Sequence, residues 1–357
     1  MGRPLRVGLV GLGVGLRHLE AYQALSDRFQ VTAVCALDAP AQGANRAHGV
    51  SRFTDDFGQM CAMGDLDVID ICTPPSLHYS QSLRALASGK HVICEKPIAG
   101  SLKEIDDLAR AQEAAGRVMM PIFQYRFGRG LQKLKAMVEQ GVAGKAYLAT
   151  AETAWRRRQD YYTVPWRGKW TTELGGMVVS HAIHAIDMLL YVLGPARRVS
   201  ARTATRVNDI EVEDCFSASL EMADGSLAAL SGTLGSAAEI SRHRFCFANL
   251  SAESNQRPYT SSGDDWVFTA DTETADRRIR HVLESFSPRS EGYEGQLERF
   301  HESLENRQGP PVTLEDARAA METITALYLS SRTAAEVALP LGVNNPLYAG
   351  LGPVESG

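Results

Sequence analysis

Lys96 follows a run of apolar residues, with a carboxylate before it and a proline after it, in "GKHVICEKPIAG" (89–100). "HVIC" (91–94) has the pattern of a short buried strand, and Glu95 and Lys96 fall at its carboxyl end. In an open parallel sheet, that is the edge where ligands bind. A lysine there can take the proton of a hydroxyl group if its pKa falls from about 10.4. A fall of about three pH units disfavours the ammonium by roughly 4 kcal/mol, within what burial and a neighbouring cation supply. Pro97 restricts Lys96 to extended backbone and helps aim its side chain. The plainer reading is a surface ion pair at a strand end.

A second set of residues concerns phosphate. "VGLVGLGVGLRH" (7–18) lies between the first strand and the first helix, where a dinucleotide fingerprint belongs. Gly11 permits the tight turn, and Gly13, next to Leu12, lets the backbone approach a pyrophosphate. The helix start offers free N–H groups and a positive dipole end. A strict GxGxxG spacing puts its third glycine at 16, where Leu16 stands; Gly15 comes one residue early, so the loop is shorter or differently wound. The second strand, "VTAVCALD" (31–38), has Ala36 where an acid for the adenosine ribose is expected, and Asp38 two residues on. If Asp38 reaches the ribose the cofactor is NAD; if it is solvated, Ala36 leaves room for the 2′-phosphate of NADP. The balance is towards NAD. With a nicotinamide beside it, Lys96 becomes the base that an alcohol needs when it gives up hydride.

A third set lies on "SHAIHAID" (180–187). Ser180, His184 and Asp187 are spaced i, i+4, i+7 and share a helix face. Asp187 either orients His184 or is a solvated helix residue. His181, His184 and Asp187 also admit a metal reading, but no cysteine pair or further clear ligand accompanies them, and no metal is expected. "WRRRQDYYTVPWRG" (155–168) interleaves arginine with aromatics. The patch is short and the chain acidic, so nucleic acid is not the partner. Aromatic faces suit sugar C–H surfaces, and Tyr161 or Tyr162 either touches substrate or packs a loop.

These residues need elements to hold them. The first third alternates strand and helix: "LRVGLV" (5–10), "VTAVC" (31–35), "DVIDIC" (67–72), "HVIC" (91–94) and "RVMMPI" (117–122), with helical stretches between, one of them "APAQGANRAHGV" (39–50). Near-continuous apolar runs read as strands buried on both faces, hence a doubly wound parallel sheet. After residue 122 the periodicity changes. An alternating strand at 145–155 and an apolar helix over 176–193 lead to long period-two runs, with Asp-Gly in "MADGSL" marking a hairpin. Residues 251–290 are polar and read as loops and short strands; helices over 292–307 and 313–337 close the chain. The second region is thus α+β with a large, open, mostly antiparallel sheet. Two domains are expected, 1–122 for NAD(P) and 123–357 for substrate binding and oligomerisation.

The chain has 357 residues, 44% apolar and 22% charged, with net charge −5, and nothing in that balance invites a nucleic-acid or anionic-membrane partner. No apolar run approaches the ~18 residues of a membrane span. The apolar start has the wrong glycine pattern and no small-residue cleavage site for a signal peptide. The six cysteines (Cys35, Cys61, Cys72, Cys94, Cys215 and Cys246) form no CxxC pair, which fits a reducing cytoplasm.

"TPPSLHYSQSLRALASGKHVICEKPIAGSLKE" (73–104) resembles the Gfo/Idh/MocA family of sugar and inositol dehydrogenases related to glucose-fructose oxidoreductase. "GLGVGLRHLEAY", "FQYRF", "VPWRGKW", "GGMVVSHAIHAIDMLLYVLGP" and "LPLGVNNPLYAG" extend the resemblance over nearly the whole chain, with the Glu-Lys-Pro segment its most specific mark. The resemblance implies a Rossmann domain followed by an α/β domain with a large open sheet. It makes Lys96 the catalytic or substrate-orienting lysine. It places Glu95, Gln124, Thr73, Pro74 and His78 around the cofactor, with Trp166 and Arg167 reaching the nicotinamide end. Family members often carry Asp-x-x-x-His where this chain has Ser180 and His184, so a short Asp–His relay is in doubt. Ser180 then binds a substrate hydroxyl, or turnover has been lost.

The expectation is an NAD(P)-dependent oxidoreductase acting on a sugar, inositol or other polyol. Lys96 moves the hydroxyl proton and His184 polarises the oxygen. Two rivals stand beside it: an enzyme with tightly held NAD that couples oxidation to reduction or is redox-neutral, and a non-catalytic dinucleotide sensor. One face of the second sheet needs cover, so a homodimer or homotetramer is expected.

Overall fold

A computed structural model describes residues 3–37 and 49–353. The proposed helix after Cys35 and the proposed ribose acid Asp38 lie outside the described residues. The chain divides into two compact units, 1–122 with 293–317 and 123–292 with 318–357.

In the first unit, β1 (Leu5–Val10), β2 (Phe29–Cys35), β3 (Arg52–Thr54), β4 (Val68–Ile71), β5 (His91–Cys94) and β6 (Met119–Pro121) form a six-stranded sheet in the order β3-β2-β1-β4-β5-β6. Every pairing is parallel. Val68–Ile71 is buried throughout, Asp70 included, as a strand covered on both faces requires. The connecting helices are α1 (Gly15–Ala24), α2 (Phe57–Ala62), α3 (Pro75–Ala87) and α4 (Leu102–Ala115). Each starts or stops for a local reason. Pro75 opens α3 at a position that needs no N–H donor, and Ser101 caps α4 by accepting the Glu104 N–H at 3.2 Å.

The strand order reverses between β1 and β4, and register puts Val10, Ile71 and Cys94 side by side. Three loops therefore leave the sheet at one edge: the glycine loop, Thr73-Pro74 and Glu95-Lys96.

The second unit contains α5 (Arg129–Glu139), a π-helical turn (Val178–Ala182), α6 (Ile183–Leu193) and α7 (Glu273–Ser285). Its strands are β7 (Ala146–Arg156), β8 (Ala196–Ala204), β9 (Cys215–Met222), β10 (Leu227–Thr233), β11 (Gly235–Phe247), β12 (Leu250–Glu253), β13 (Val267–Ala270) and β14 (Val337–Ala338). They form one sheet in the order β13-β12-β11-β7-β10-β9-β8-β14, in which β7 and β10 pair parallel and the other neighbours antiparallel. The Asp-Gly hairpin joins β9 to β10, with Gly225 at φ +84° and Asp224 accepting the Ser226 N–H at 2.9 Å. Helix α6 packs against β7 and is buried at every position from Ile183 to Leu189.

Three expectations are corrected. The helix expected from 176 begins as a π-helical turn. The segment 251–290 contains α7 as well as loops and short strands. Only Ala275, Ile279 and Val282 of that polar helix are buried, a narrow i, i+4, i+7 stripe that composition hides. Lastly, the second region does not run unbroken to 357. Helix α8 (Gly292–Glu305) packs on the first sheet through Gln296, whose side-chain amide donates to Pro121 O at 2.7 Å, and Arg28 pairs with Glu302 at 3.1 Å. Helix α9 (Leu314–Thr333) then carries the chain out of the first unit.

Candidate active site

The glycine loop of the first unit is shaped by close approach. Gly11 has φ +86°, and a Cβ there would lie 2.7 Å from Cys72 O. A Cβ on Gly13 would meet nothing within 4 Å, so that stretch of backbone is open to a ligand. Gly15 is buried at the start of α1, and a Cβ there would sit 3.3 Å from Cys72 Cβ. The early third glycine therefore does the job of close helix–strand packing. Val14, which precedes the helix, makes no side-chain capping bond, and Leu16 lies on the first turn. Ala36 is buried in the core cluster with Leu9, Val34 and Cys72. Its methyl is part of the packing, so strand β2 ends without a polar group for the ribose.

Thr73 donates its hydroxyl to Gln81 Oε1 at 2.6 Å, and Pro74 leads into α3. His78 is buried, with Nε2 2.7 Å from Thr73 O and Nδ1 2.7 Å from Pro97 O. Burial pushes its pKa down. Neutral His78 donates its one N–H to one of these two carbonyls and lies buried between the loops that carry them.

Glu95 is 5% exposed and Lys96 is half-buried, and the Lys96–Pro97 peptide is cis. Glu95 accepts the Lys96 N–H on Oε2 at 3.0 Å and the Tyr293 hydroxyl on Oε1 at 2.9 Å. His18 Nε2 is 3.2 Å from the same Oε1, and its Nδ1 is 2.8 Å from Asp70 Oδ2. Tyr22 donates to that Asp70 oxygen at 2.8 Å. Burial works to lower the His18 pKa, but Asp70 first and Cys72 after it, by charge and hydrogen bond, outweigh it and hold the imidazole well above its ordinary range.

The second unit holds the other half of the sequence-based set. Arg167 stacks over the rings of Tyr161 (3.8 Å) and Trp166 (4.2 Å) and donates to the Tyr161 hydroxyl. The same hydroxyl is 3.4 Å from His181 Nε2. Ser180 donates to Glu173 Oε1 at 2.9 Å, and Glu173 Oε2 accepts the Gly168 N–H. Glu173 is 2% exposed, and Arg167 Nη1 lies 3.7 Å from its Oε1. Tyr161, Trp166, Arg167 and Ser180 are thus gathered around one buried carboxylate.

His184 is 6% exposed and stacks on Tyr125 at 4.3 Å, with the Phe123 edge at 6.5 Å. Asp187 is not a solvated residue. It is buried in a pair with Arg126, with contacts of 2.6 to 3.0 Å. Gln124 opens the same 3-10 turn (Gln124–Phe127), so "FQYRF" packs one side chain on His184 and the next on Asp187. Glu213 holds the start of the π-helical turn, accepting Val178 N–H at 2.9 Å and Gly176 N–H at 3.2 Å. Burial raises its pKa to about 7. Such turns recur where a helix must re-aim functional side chains.

Among the described residues, the group that could hold a metal is His18, Asp70 and Cys72, not the helix histidines. Both His18 nitrogens already face carboxylates, so these groups satisfy one another without an ion. No helix among the described residues is long and apolar enough to cross a membrane.

The sequence reading missed Glu173, Tyr125, Arg126 and Tyr293. The first three lay within or near a quoted motif and Tyr293 lay in an expected helix, but only tertiary pairing marks them. His18 stood in the quoted glycine loop without a role.

Residues 5–123 match the model of an oxidoreductase family with an NAD-binding Rossmann fold, and 131–247 match the GFO/IDH/MocA C-terminal domain. D-glucoside 3-dehydrogenase of Escherichia coli is 29% identical, over 94% of this chain and 98% of that protein. Myo-inositol 2-dehydrogenase of Thermotoga maritima is 23% identical, over 89% and 93%. The WlbA dehydrogenase from Bordetella pertussis, solved with NADH and UDP-GlcNAcA, superposes with a TM-score of 0.84 at 27% identity, covering 95% of this chain and 100% of that one. Two matched domain models, the six-stranded sheet and the Glu-Lys-Pro turn at its edge agree: the chain belongs to the Gfo/Idh/MocA family of NAD-binding oxidoreductases.

Proposed function

We propose that this protein is an NAD(P)-dependent dehydrogenase acting on a CH–OH carbon of a cyclic sugar or polyol. The observation that carries the reading is the shared edge of β1, β4 and β5. It places an open glycine loop, Thr73-Pro74 and Glu95-Lys96 at adjacent strand ends. Gly11, Leu12, Gly13, Gly15 and Leu16 suit a pyrophosphate, with Thr73, Pro74 and Glu95 next in line. Gln124, Trp166 and Arg167 of the second unit complete the set on the strength of the family resemblance. When bound, the nicotinamide supplies the hydride acceptor or donor. Lys96 takes or returns the hydroxyl proton, and His184, its ring held by Tyr125, binds the hydroxyl oxygen. Ser180 commits its proton to Glu173, so its oxygen accepts a bond from a substrate hydroxyl. Tyr161 flanks the same group.

The relatives named above act, by their names, on a glucoside and on an inositol, and the solved neighbour holds a nucleotide-linked sugar acid. Ring hydroxyls are the common feature, and they define the substrate class proposed here. NAD is favoured over NADP through Asp38. All six cysteines are unpaired, which supports a reducing, cytoplasmic setting. Leu148 and Leu227 pair across β7 and β10 and are exposed on the second sheet, supporting a homodimer or homotetramer that covers that face. A dilution series by light scattering that gives only monomer removes the oligomer.

The test is a thermal-shift screen of NAD and NADP against a polyol library, followed by rates on the hits. A ligand at about a hundredfold its Kd stabilises by about 2.7 kcal/mol. The reading fails if no polyol yields NAD(P)H faster with the native protein than with Lys96→Ala.

A further inference from the structure

We propose that His18 is a positioning residue for Lys96, acting through Glu95. The proposal rests on the acid–base reading of Lys96, but its geometry stands on its own. Five side chains from separated parts of the first unit form one buried string: Tyr22 to Asp70 (2.8 Å), Asp70 to His18 (2.8 Å), His18 to Glu95 (3.2 Å) and Tyr293 to Glu95 (2.9 Å). The string ends at the Lys96 N–H, 3.0 Å from Glu95 Oε2. His18 has no exposed surface, and its ring lies 4.6 Å from that of Tyr293. It cannot meet substrate or cofactor.

A packing role alone calls for an apolar side chain at this place. Burying an imidazole and two carboxylates costs free energy unless each is bonded, and here each is. A buried charged chain of this kind fixes geometry more than it adds stability. His18 holds Glu95 in one rotamer, and that rotamer sets the turn from which the Lys96 amine projects. It also matters for charge. The groups facing His18 are Asp70 from β4, Cys72 just after it, Glu95 from the end of β5, Tyr22 from α1 and Tyr293 from α8. Burial keeps the Cys72 thiol neutral by raising its pKa. A cationic His18 offsets one of the two carboxylates. Removing it leaves Glu95 uncompensated beside Lys96, which favours the ammonium.

The test needs no turnover. Competitive labelling of the intact protein with isotope-coded acetic anhydride, read by peptide mass spectrometry across pH, reports the Lys96 pKa directly. In His18→Gln the Lys96 pKa is expected to rise by about one pH unit, an approximately tenfold loss of reactivity at about pH 6, well below both values. The acid limb of the kcat profile should move by the same amount, with KM little changed. The double variant His18→Gln with Glu95→Gln removes both charges and should restore the labelling. If His18→Gln fails to fold, Tyr293→Phe removes one hydroxyl from Glu95 and should move Lys96 in the same direction, by less. Unchanged Lys96 labelling in whichever of the two single variants, His18→Gln or Tyr293→Phe, folds overturns the proposal. A shift in labelling with no polyol oxidised keeps the positioning role and rejects the dehydrogenase reading instead.

Discussion

The two units bury ionisable groups in different ways. In the first, His18 lies between Asp70 and Glu95, and each carboxylate also accepts a tyrosine hydroxyl, so no charge in the string stands alone. The second has satisfied clusters too, around Glu173 and in the Arg126–Asp187 pair. Yet it also buries His243 with neither ring nitrogen bonded, and it raises Glu213 to about 7. The parallel sheet is covered on both faces and brings strand ends from distant sequence to one edge, where polar groups meet and pair. The second sheet is mixed and mostly antiparallel, and it buries single polar residues such as His243 on β11.

The comparison can be broken in several ways, beginning with the largest effect. Lys96→Ala should lower kcat by about 10²–10⁴ with the melting temperature nearly unchanged, because general acid–base groups contribute on that scale. Steady-state kinetics on a polyol hit, beside a melting curve, checks it; a lost fold would make Lys96 structural. Arg126→Met should do the reverse and cost roughly 3–5 kcal/mol of stability, since it strands a buried Asp187. Urea titration measures that cost, and a loss under 1 kcal/mol would show that water reaches Asp187.

A third outcome is read by pH. His243 has its pKa lowered to about 4 by burial. Above its usual 6.5 both states are neutral; between 6.5 and 4 only the unfolded chain takes the proton. Stability from this residue is therefore full above pH 6.5, and about 3 kcal/mol of it is lost as pH falls to 4. Glu213 runs the other way. Its folded pKa of about 7 lies above the usual carboxylate value, so its contribution is full below pH 4.5 and declines as pH rises to 7. His243→Leu should flatten the acid side of the stability curve, and Glu213→Gln should remove the decline between pH 4.5 and 7. Denaturant midpoints at half-unit pH steps would expose either failure.

The smallest expected effect tests the second unit's polar cluster. Glu173→Gln should lower kcat about tenfold, in line with a hydrogen bond to a charged group worth roughly 1.5 kcal/mol. Adding Ser180→Asp to Glu173→Gln should recover most of that loss, while Ser180→Asp alone sets two carboxylates together and should be worse than either. Equal activity in all three variants would leave Ser180 and Glu173 as packing only.

Much of the first unit was legible because its signals are local. Apolar runs such as "HVIC" mark strands, and the glycine spacing of 11–15 marks the turn between strand and helix. Helix α7 was harder, since three buried residues in thirteen make a faint stripe. The return of residues 293–317 to the first sheet had no local signal, because α8 reads as an ordinary amphipathic helix wherever it packs. Asp187 is instructive in the same way. Its helix position was legible, but its partner Arg126 lies 61 residues away.

Residue order alone settled which strand ends carry reactive side chains, because strand and helix periodicities are properties of neighbours along the chain. It put Lys96 just past a buried strand and Ser180 one turn before His184. Folding alone decided whom those side chains meet. His18 finds Asp70 and Glu95 across 52 and 77 residues of sequence, and Ser180 finds a carboxylate seven residues back through a loop. Hydrogen bonds act over about 3 Å in space whatever the separation in sequence, so no reading of spacing could have supplied those partners.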